Sequence, residues 1–160
     1  MIKLFLTDVD GCLTDGGMYY SANGEEMKRF CVYDGMGMVL LRHAGIKCGI
    51  LTSETTDIVA SRAKKLKLDY LCMGAGAHND KTKLEAATEI CKELGIGLDE
   101  VCYVGDDVND LDLLRAVGLA ACPASAMPIV KSLLGILVLE HNGGNGAIRE
   151  LCDKILADIQ

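Results

Sequence analysis

The 160-residue chain has no Trp, five Tyr and two Phe. Small aliphatic side chains and Met must therefore fill its core. It has no run near the ~20 apolar residues of a membrane-spanning helix. It has no excess of positive charge either: 16 Lys and Arg stand against 23 Asp and Glu, for a net charge of -7. That excludes the broad basic face expected of a nucleic-acid or anionic-membrane binder. It does not exclude an anionic small molecule, because a bound cation inverts the local field of an acidic site. The eight Cys form no Cys-x-x-Cys pair and sit mostly in apolar runs. They read as reduced thiols of a cytoplasmic protein rather than a disulfide framework. The first apolar run is short and ends in Asp8 and Asp10, unlike a signal peptide. With no repeat, low-complexity tract or linker, residues 1–160 read as one domain.

What is present is a regular alternation. Short, nearly continuous apolar runs at 2–7, 47–52, 69–72, 101–105, 119–122 and 136–139 read as buried strands of a parallel sheet. Helical periods at 35–44, 56–66, 83–94, 107–116, 127–134 and 145–157 lie between and after them. The pattern predicts an α/β fold with a doubly wound, Rossmann-like parallel sheet. One stretch breaks it. Around Asn23-Gly24, between 17 and 32, strand-like residues flank a strong hairpin signal, so a β-hairpin projects after the first strand.

Ligands of open α/β sheets bind at the carboxyl ends of the strands. The first strand ends in Thr7-Asp8-Val9-Asp10-Gly11, the second in Leu51-Thr52-Ser53-Glu54, and the fourth in Gly105-Asp106-Asp107-Val108-Asn109-Asp110. Lys81 and Lys83 open the third long helix. Asp8 and Asp106 at adjacent strand ends repel unless a cation lies between them, and oxygen donors of this kind suit Mg²⁺. A carboxylate beside such a metal can attack phosphorus, which makes Asp8 the candidate nucleophile. Asp10, two residues on, can protonate the leaving oxygen and then activate water. Gly11 leaves backbone N–H groups for phosphate oxygens, while Thr52 and a Lys hold the others. Each segment alone reads as a turn or a helix cap; together, and in this order, they read as a phosphoryl-transfer site.

These motifs resemble those of the haloacid-dehalogenase-like phosphatases. Asp8-Val9-Asp10-Gly11 is similar to the family's first motif, Leu51-Thr52-Ser53 to its second, and Gly105 to Asp110 to its last. The resemblance implies Asp8 as nucleophile, Asp10 as acid/base and Thr52 as phosphate ligand. It implies a metal site of the Asp8 carboxylate, the Asp10 carbonyl and Asp106. Asp107 would orient the catalytic Lys, and Asp110 would support the metal's water shell. Further runs, including Asp34-Gly35-Met36-Gly37 and 143–150, resemble the small branch without a cap domain. That branch includes phosphatases of 3-deoxy-manno-octulosonate 8-phosphate and of nine-carbon 2-keto-3-deoxy acid 9-phosphates. It covers the site with neighbouring hairpins in a homotetramer, and only the hairpin and one helix fit between Asp10 and Thr52 here.

Two departures bear on detail. The loop 74–82 is longer than in the branch, and its His78 could approach the site. Thr82-Lys83-Leu84-Glu85 reads as a capping box, which favours Lys83 over Lys81 as the catalytic Lys. After Thr52 the octulosonate phosphatases usually carry Gly-Arg, whereas this chain has Ser53-Glu54. Glu54 with Lys65 is similar to the nine-carbon group, so the substrate reading leans to a nonulosonate-type 9-phosphate, with the octulosonate 8-phosphate as alternative. A response-regulator receiver needs its acidic pair before the acceptor Asp, the reverse of the order here. A non-catalytic oligomerisation module would lack Asp10 or the late acidic cluster, and both are present.

Overall fold

A computed structural model describes residues 1–76 and 81–159. Six parallel strands form one sheet in the order β5-β4-β1-β6-β7-β8: β5 is Tyr70–Met73, β4 Lys47–Thr52, β1 Leu4–Thr7, β6 Val101–Val104, β7 Leu119–Cys122 and β8 Leu137–Val138. The chain builds outward from β1 through β4 to β5. It then crosses to β6 on the other side of β1. Strand order reverses there, so a crevice opens beyond the carboxyl ends of β1, β4 and β6.

Alternation along the strands divides the core. Phe5, Cys102 and Val104 face one layer with Met38, Leu41, Val59 and Ile148. Leu4, Leu6, Val101 and Tyr103 face the other with Ala87, Ile90, Leu113 and Val130. The first layer thus takes helices α1 (Val32–His43), α2 (Asp57–Leu66) and α6 (Ala147–Ala157). The second takes α3 (Lys83–Leu94), α4 (Leu111–Ala116) and α5 (Pro128–Lys131). Apolar faces on both sides of β1 and β6 explain the unbroken hydrophobic runs of those strands.

The hairpin forms as expected from β2 (Tyr19–Ser21) and β3 (Gly24–Met27), apart from the main sheet. No described helix is long and apolar enough to cross a membrane. Several helix boundaries differ from the sequence reading. Helix α1 starts three residues earlier than 35, because Asp34 in its first turn accepts the N–H groups of Gly146 and Arg149 at the start of α6. The stretch 107–116 divides into a 3₁₀ turn at Val108–Asp110 and the short α4, since the Asp110 side chain is pulled back under the preceding loop. Helix α5 ends at Lys131 rather than 134.

Asp69 ties three elements at the far edge. Its carboxylate accepts from Arg42 Nε at 3.1 Å, Lys47 Nζ at 2.9 Å and the Cys48 N–H at 3.0 Å. Burial opposes its ionisation, but these donors outweigh it and hold the carboxyl below its ordinary pKa. A depressed carboxylate contributes stability above its unfolded pKa, roughly 4, and loses it as pH falls through the folded value. Asp69→Asn is expected to lower stability by about 1 kcal/mol at pH 7, a figure discounted because Lys47 remains solvated. The difference should shrink below about pH 4. Urea melts of both proteins across that range check it.

Candidate active site

Asp8 follows β1 directly and its backbone N–H continues the strand's bonding to Val104 O at 3.0 Å. The carboxylate is therefore placed by the sheet. Its Oδ1 accepts the Val9 N–H at 2.7 Å and its Oδ2 accepts Lys83 Nζ at 2.8 Å. A single wide turn over Val9–Leu13 then reverses the chain, with Gly11 at φ +87°. A Cβ at Gly11 would overlap the Asp106 carboxylate, so both the turn and the close approach require glycine there. The Gly11 N–H donates to Thr14 Oγ1 at 3.4 Å, so the turn closes on itself and this N–H is not free as the sequence reading expected.

Lys83 is the first residue of α3. The capping box is formed: Thr82 Oγ1 accepts the Glu85 N–H at 3.1 Å and Glu85 accepts the Thr82 N–H at 2.7 Å. This start sends the Lys83 side chain inward, where it is 1% exposed and bridges Asp8 and Asp110, the latter at 2.7 Å. Lys81 instead pairs with Glu89 at the surface. His78 lies outside the described residues.

Asp110, rather than Asp107, contacts Lys83. The 3₁₀ turn carries Asp110 back beneath the loop, fully buried. Its Oδ1 takes Lys83 and the Tyr103 hydroxyl at 2.5 Å; its Oδ2 takes the N–H groups of Asp106 and Asp107 at 2.8 and 3.2 Å. Asp110 thus orients Lys83. Asp107 sits at the turn's start, where its side chain accepts the Val108 N–H at 2.7 Å and does not reach Lys83.

Carboxylate oxygens of Asp8, Asp106 and Asp110 lie within 4.8 Å of one another. Among the described residues one ammonium, Lys83, faces them, and it pairs with Asp8 and Asp110. Asp106 has no cationic partner among the described residues. Burial, then the charges of Asp8, Asp110 and Asp107, push its carboxyl up to about 7. Burial also raises Asp8, against the pull of Lys83. A hard divalent cation fits this set. Asp110 has no oxygen to spare, whereas Asp8 and Asp106 keep lone pairs facing the crevice.

The crevice holds a cavity of about 270 Å³, lined by Asp8, Asp10, Gly11, Gly16, Thr52, Ser53, Glu54, Asp106, Asp107 and Asn109. Thr52 is buried and its Oγ1 accepts the Glu54 N–H at 3.2 Å. Ser53 donates to Ala75 O at 3.1 Å and accepts from Asn109 Nδ2 at 3.0 Å, which joins the second and last motifs. Lys65 is not brought to the cavity. Helix α2 begins near the crevice and runs away from it, so eight residues place Lys65 about 12 Å along the axis, exposed and with no ion pair to Glu54.

Two contributions escaped the sequence reading. Lys28, just after β3, reaches Asp10 Oδ1 and Glu25 Oε1, each at 2.6 Å. No local pattern marks it. The loop at 143–146 also backs the first motif: the Gly144 N–H donates to Cys12 O at 3.0 Å, and a Cβ at Gly143 would overlap Gly11 O. The closely spaced glycines at 143, 144 and 146 were the available signal.

The family model for haloacid dehalogenase-like hydrolases matches residues 24–118. The 3-deoxy-D-manno-octulosonate 8-phosphate phosphatase of Haemophilus influenzae is 37% identical over 158 residues, covering 97% of this chain and 83% of that one. Two solved structures of phosphatases of that name are also similar. The Yersinia pestis protein has a TM-score of 0.91 at 35% identity, over 98% of this chain and 81% of its own. The Moraxella catarrhalis protein, solved with magnesium, phosphate and the octulosonate, has a TM-score of 0.86 at 35% identity, over 99% of this chain and 94% of its own.

Proposed function

This chain belongs to the haloacid dehalogenase-like hydrolases and is a phosphoric monoester hydrolase, and we propose that its substrate is 3-deoxy-manno-octulosonate 8-phosphate. The observation that carries the chemistry is Asp8, gripped through one oxygen by buried Lys83 and facing, across an open polar cavity, an Asp106 with no cationic partner among the described residues. The relatives carry the choice of substrate. The nine-carbon leaning is dropped: it rested on Glu54 acting with Lys65, and Lys65 lies outside the cavity, while the relatives named above are octulosonate phosphatases.

Asp8 attacks phosphorus in line and Asp10 protonates the departing sugar oxygen. Asp10 then takes a proton from the water that hydrolyses the aspartyl-phosphate. Lys83 neutralises the phosphoryl oxygens, and the Thr52 hydroxyl donates to their far side. Asp8, Asp106 and the Asp10 carbonyl would hold Mg²⁺, which would supply positive charge for the substrate phosphate. Asp107 and Asn109 line the entrance, and Glu54 faces the sugar. Tyr20 and Met27 of the hairpin, both more than half exposed, suit burial against further copies in a homotetramer that covers the site. Eight free thiols suit a reducing, cytoplasmic compartment.

Phosphate release from matched eight- and nine-carbon acid phosphates tests the substrate. A preference for the eight-carbon acid of at least tenfold in kcat/KM is expected. A preference for the nine-carbon acid would overturn the proposal. EDTA should abolish turnover, and Mg²⁺ should restore it.

A further inference from the structure

Asp10 differs from the other carboxylates of the site. Its side chain is about one quarter exposed, and the strand does not fix it. Among the described residues one group holds it: Lys28 Nζ, 2.6 Å from Oδ1. Asp10 Oδ2 has no partner among the described residues, and Asp10 lines the cavity. The Lys28 side chain is fully covered, although the residue as a whole is half-buried. Water therefore does not compete for its ammonium, and a charge-assisted bond of this kind is strong and directional. Glu25, three residues earlier, would by itself balance the Lys28 charge and anchor the strand end. The reach across eighteen positions to Asp10 does something further.

We propose that Lys28 is a positioning residue that pins Asp10 through Oδ1, so that Oδ2 points at the leaving oxygen and later at the attacking water. The inference rests on the reading of Asp10 as acid and base. In the first half-reaction the phosphorus–sugar oxygen bond breaks, the Asp8 oxygen–phosphorus bond forms, and the Asp10 proton passes to the sugar oxygen. In the second, water attacks phosphorus, its proton passes to Asp10, and the bond to Asp8 breaks. Both transfers need Oδ2 in one place. The attack by Asp8 does not, because Lys83 and β1 place Asp8 independently. Lys28 is thus coupled to proton transfer and not to nucleophilic attack, and it brings the hairpin into the catalytic step.

Leaving groups separate these effects. p-Nitrophenolate departs without a proton, whereas a sugar alkoxide needs one. General acid–base catalysis is worth about 10²–10⁴-fold. Lys28→Met is therefore expected to lower kcat on the octulosonate 8-phosphate about 10–100-fold. On p-nitrophenyl phosphate it should keep a rapid burst of one p-nitrophenol per site, followed by a slow steady rate as the aspartyl-phosphate waits for water. Lys28→Arg should recover most of the loss. Asp10→Asn is the reference. If Asp10→Asn shows the burst and stall while Lys28→Met behaves as wild type, the inference fails and the Asp10 reading stands. If Asp10→Asn itself turns over both substrates normally, both fail. If Lys28→Met or Lys28→Arg loses the burst as well, with an unchanged melting temperature, Lys28 serves phosphate binding and the inference is overturned.

Discussion

Asp8→Asn should abolish phosphate release, with kcat reduced at least about 10⁴-fold, and should leave the fold intact. The second half follows from the charges around the residue. Three carboxylates converge on one ammonium, and burial already works against ionised Asp8. Asn keeps the size of the side chain and an oxygen that can accept the Val9 N–H. It also removes one anion from beside Asp106 and Asp110. In the absence of metal the melting temperature is therefore expected to hold or rise. Phosphate assays and thermal melts on the same preparation check both parts. Retained turnover would refute the nucleophile assignment; collapse of the melt would refute the account of the electrostatics.

Lys83→Met should reduce both stability and activity. Met matches the volume of the aliphatic stem, so the cavity contribution stays small. What is lost is the ammonium between Asp8 and Asp110, both buried. Removing one member of a buried ion pair costs about 3–5 kcal/mol, because an uncompensated charge remains. Activity should fall about 10²–10³-fold as phosphoryl charge goes unneutralised. Urea denaturation and steady-state kinetics read the two effects. Lys81→Met is the matched control, since Lys81 pairs with Glu89 at the surface and should leave both nearly unchanged. The opposite outcome, an active Lys83→Met and an inactive Lys81→Met, would reverse the assignment.

Much of this site was legible in the residue pattern because it is built from strand ends. An apolar run that stops in a carboxylate reveals both a strand and the position of its tip. Asp8, Thr52 and Asp106 could be placed on one edge without coordinates. Lys83 was legible through its capping box, a signal four residues long. The division of labour between Asp107 and Asp110 was not, because three residues of 3₁₀ turn rotate one carboxylate inward and leave the other at the cap. Lys65 was read from a likeness to the nine-carbon group, and a likeness in residue type does not carry position: α2 leads away from the crevice before it reaches Lys65. Lys28 left no trace, because its partner lies in a different element and neither residue type is unusual where it stands.

The backing of the first motif by 143–146 bears on the order in which this protein becomes competent. Every side chain assigned to the chemistry lies between residues 8 and 110. The turn that holds Asp10 and Gly11, however, is bonded from behind by Gly144, more than a hundred positions later. Closing so long a loop is among the slower events of folding. The first motif therefore takes its final shape only once these two distant segments have met, so the site matures late relative to the local contacts around it.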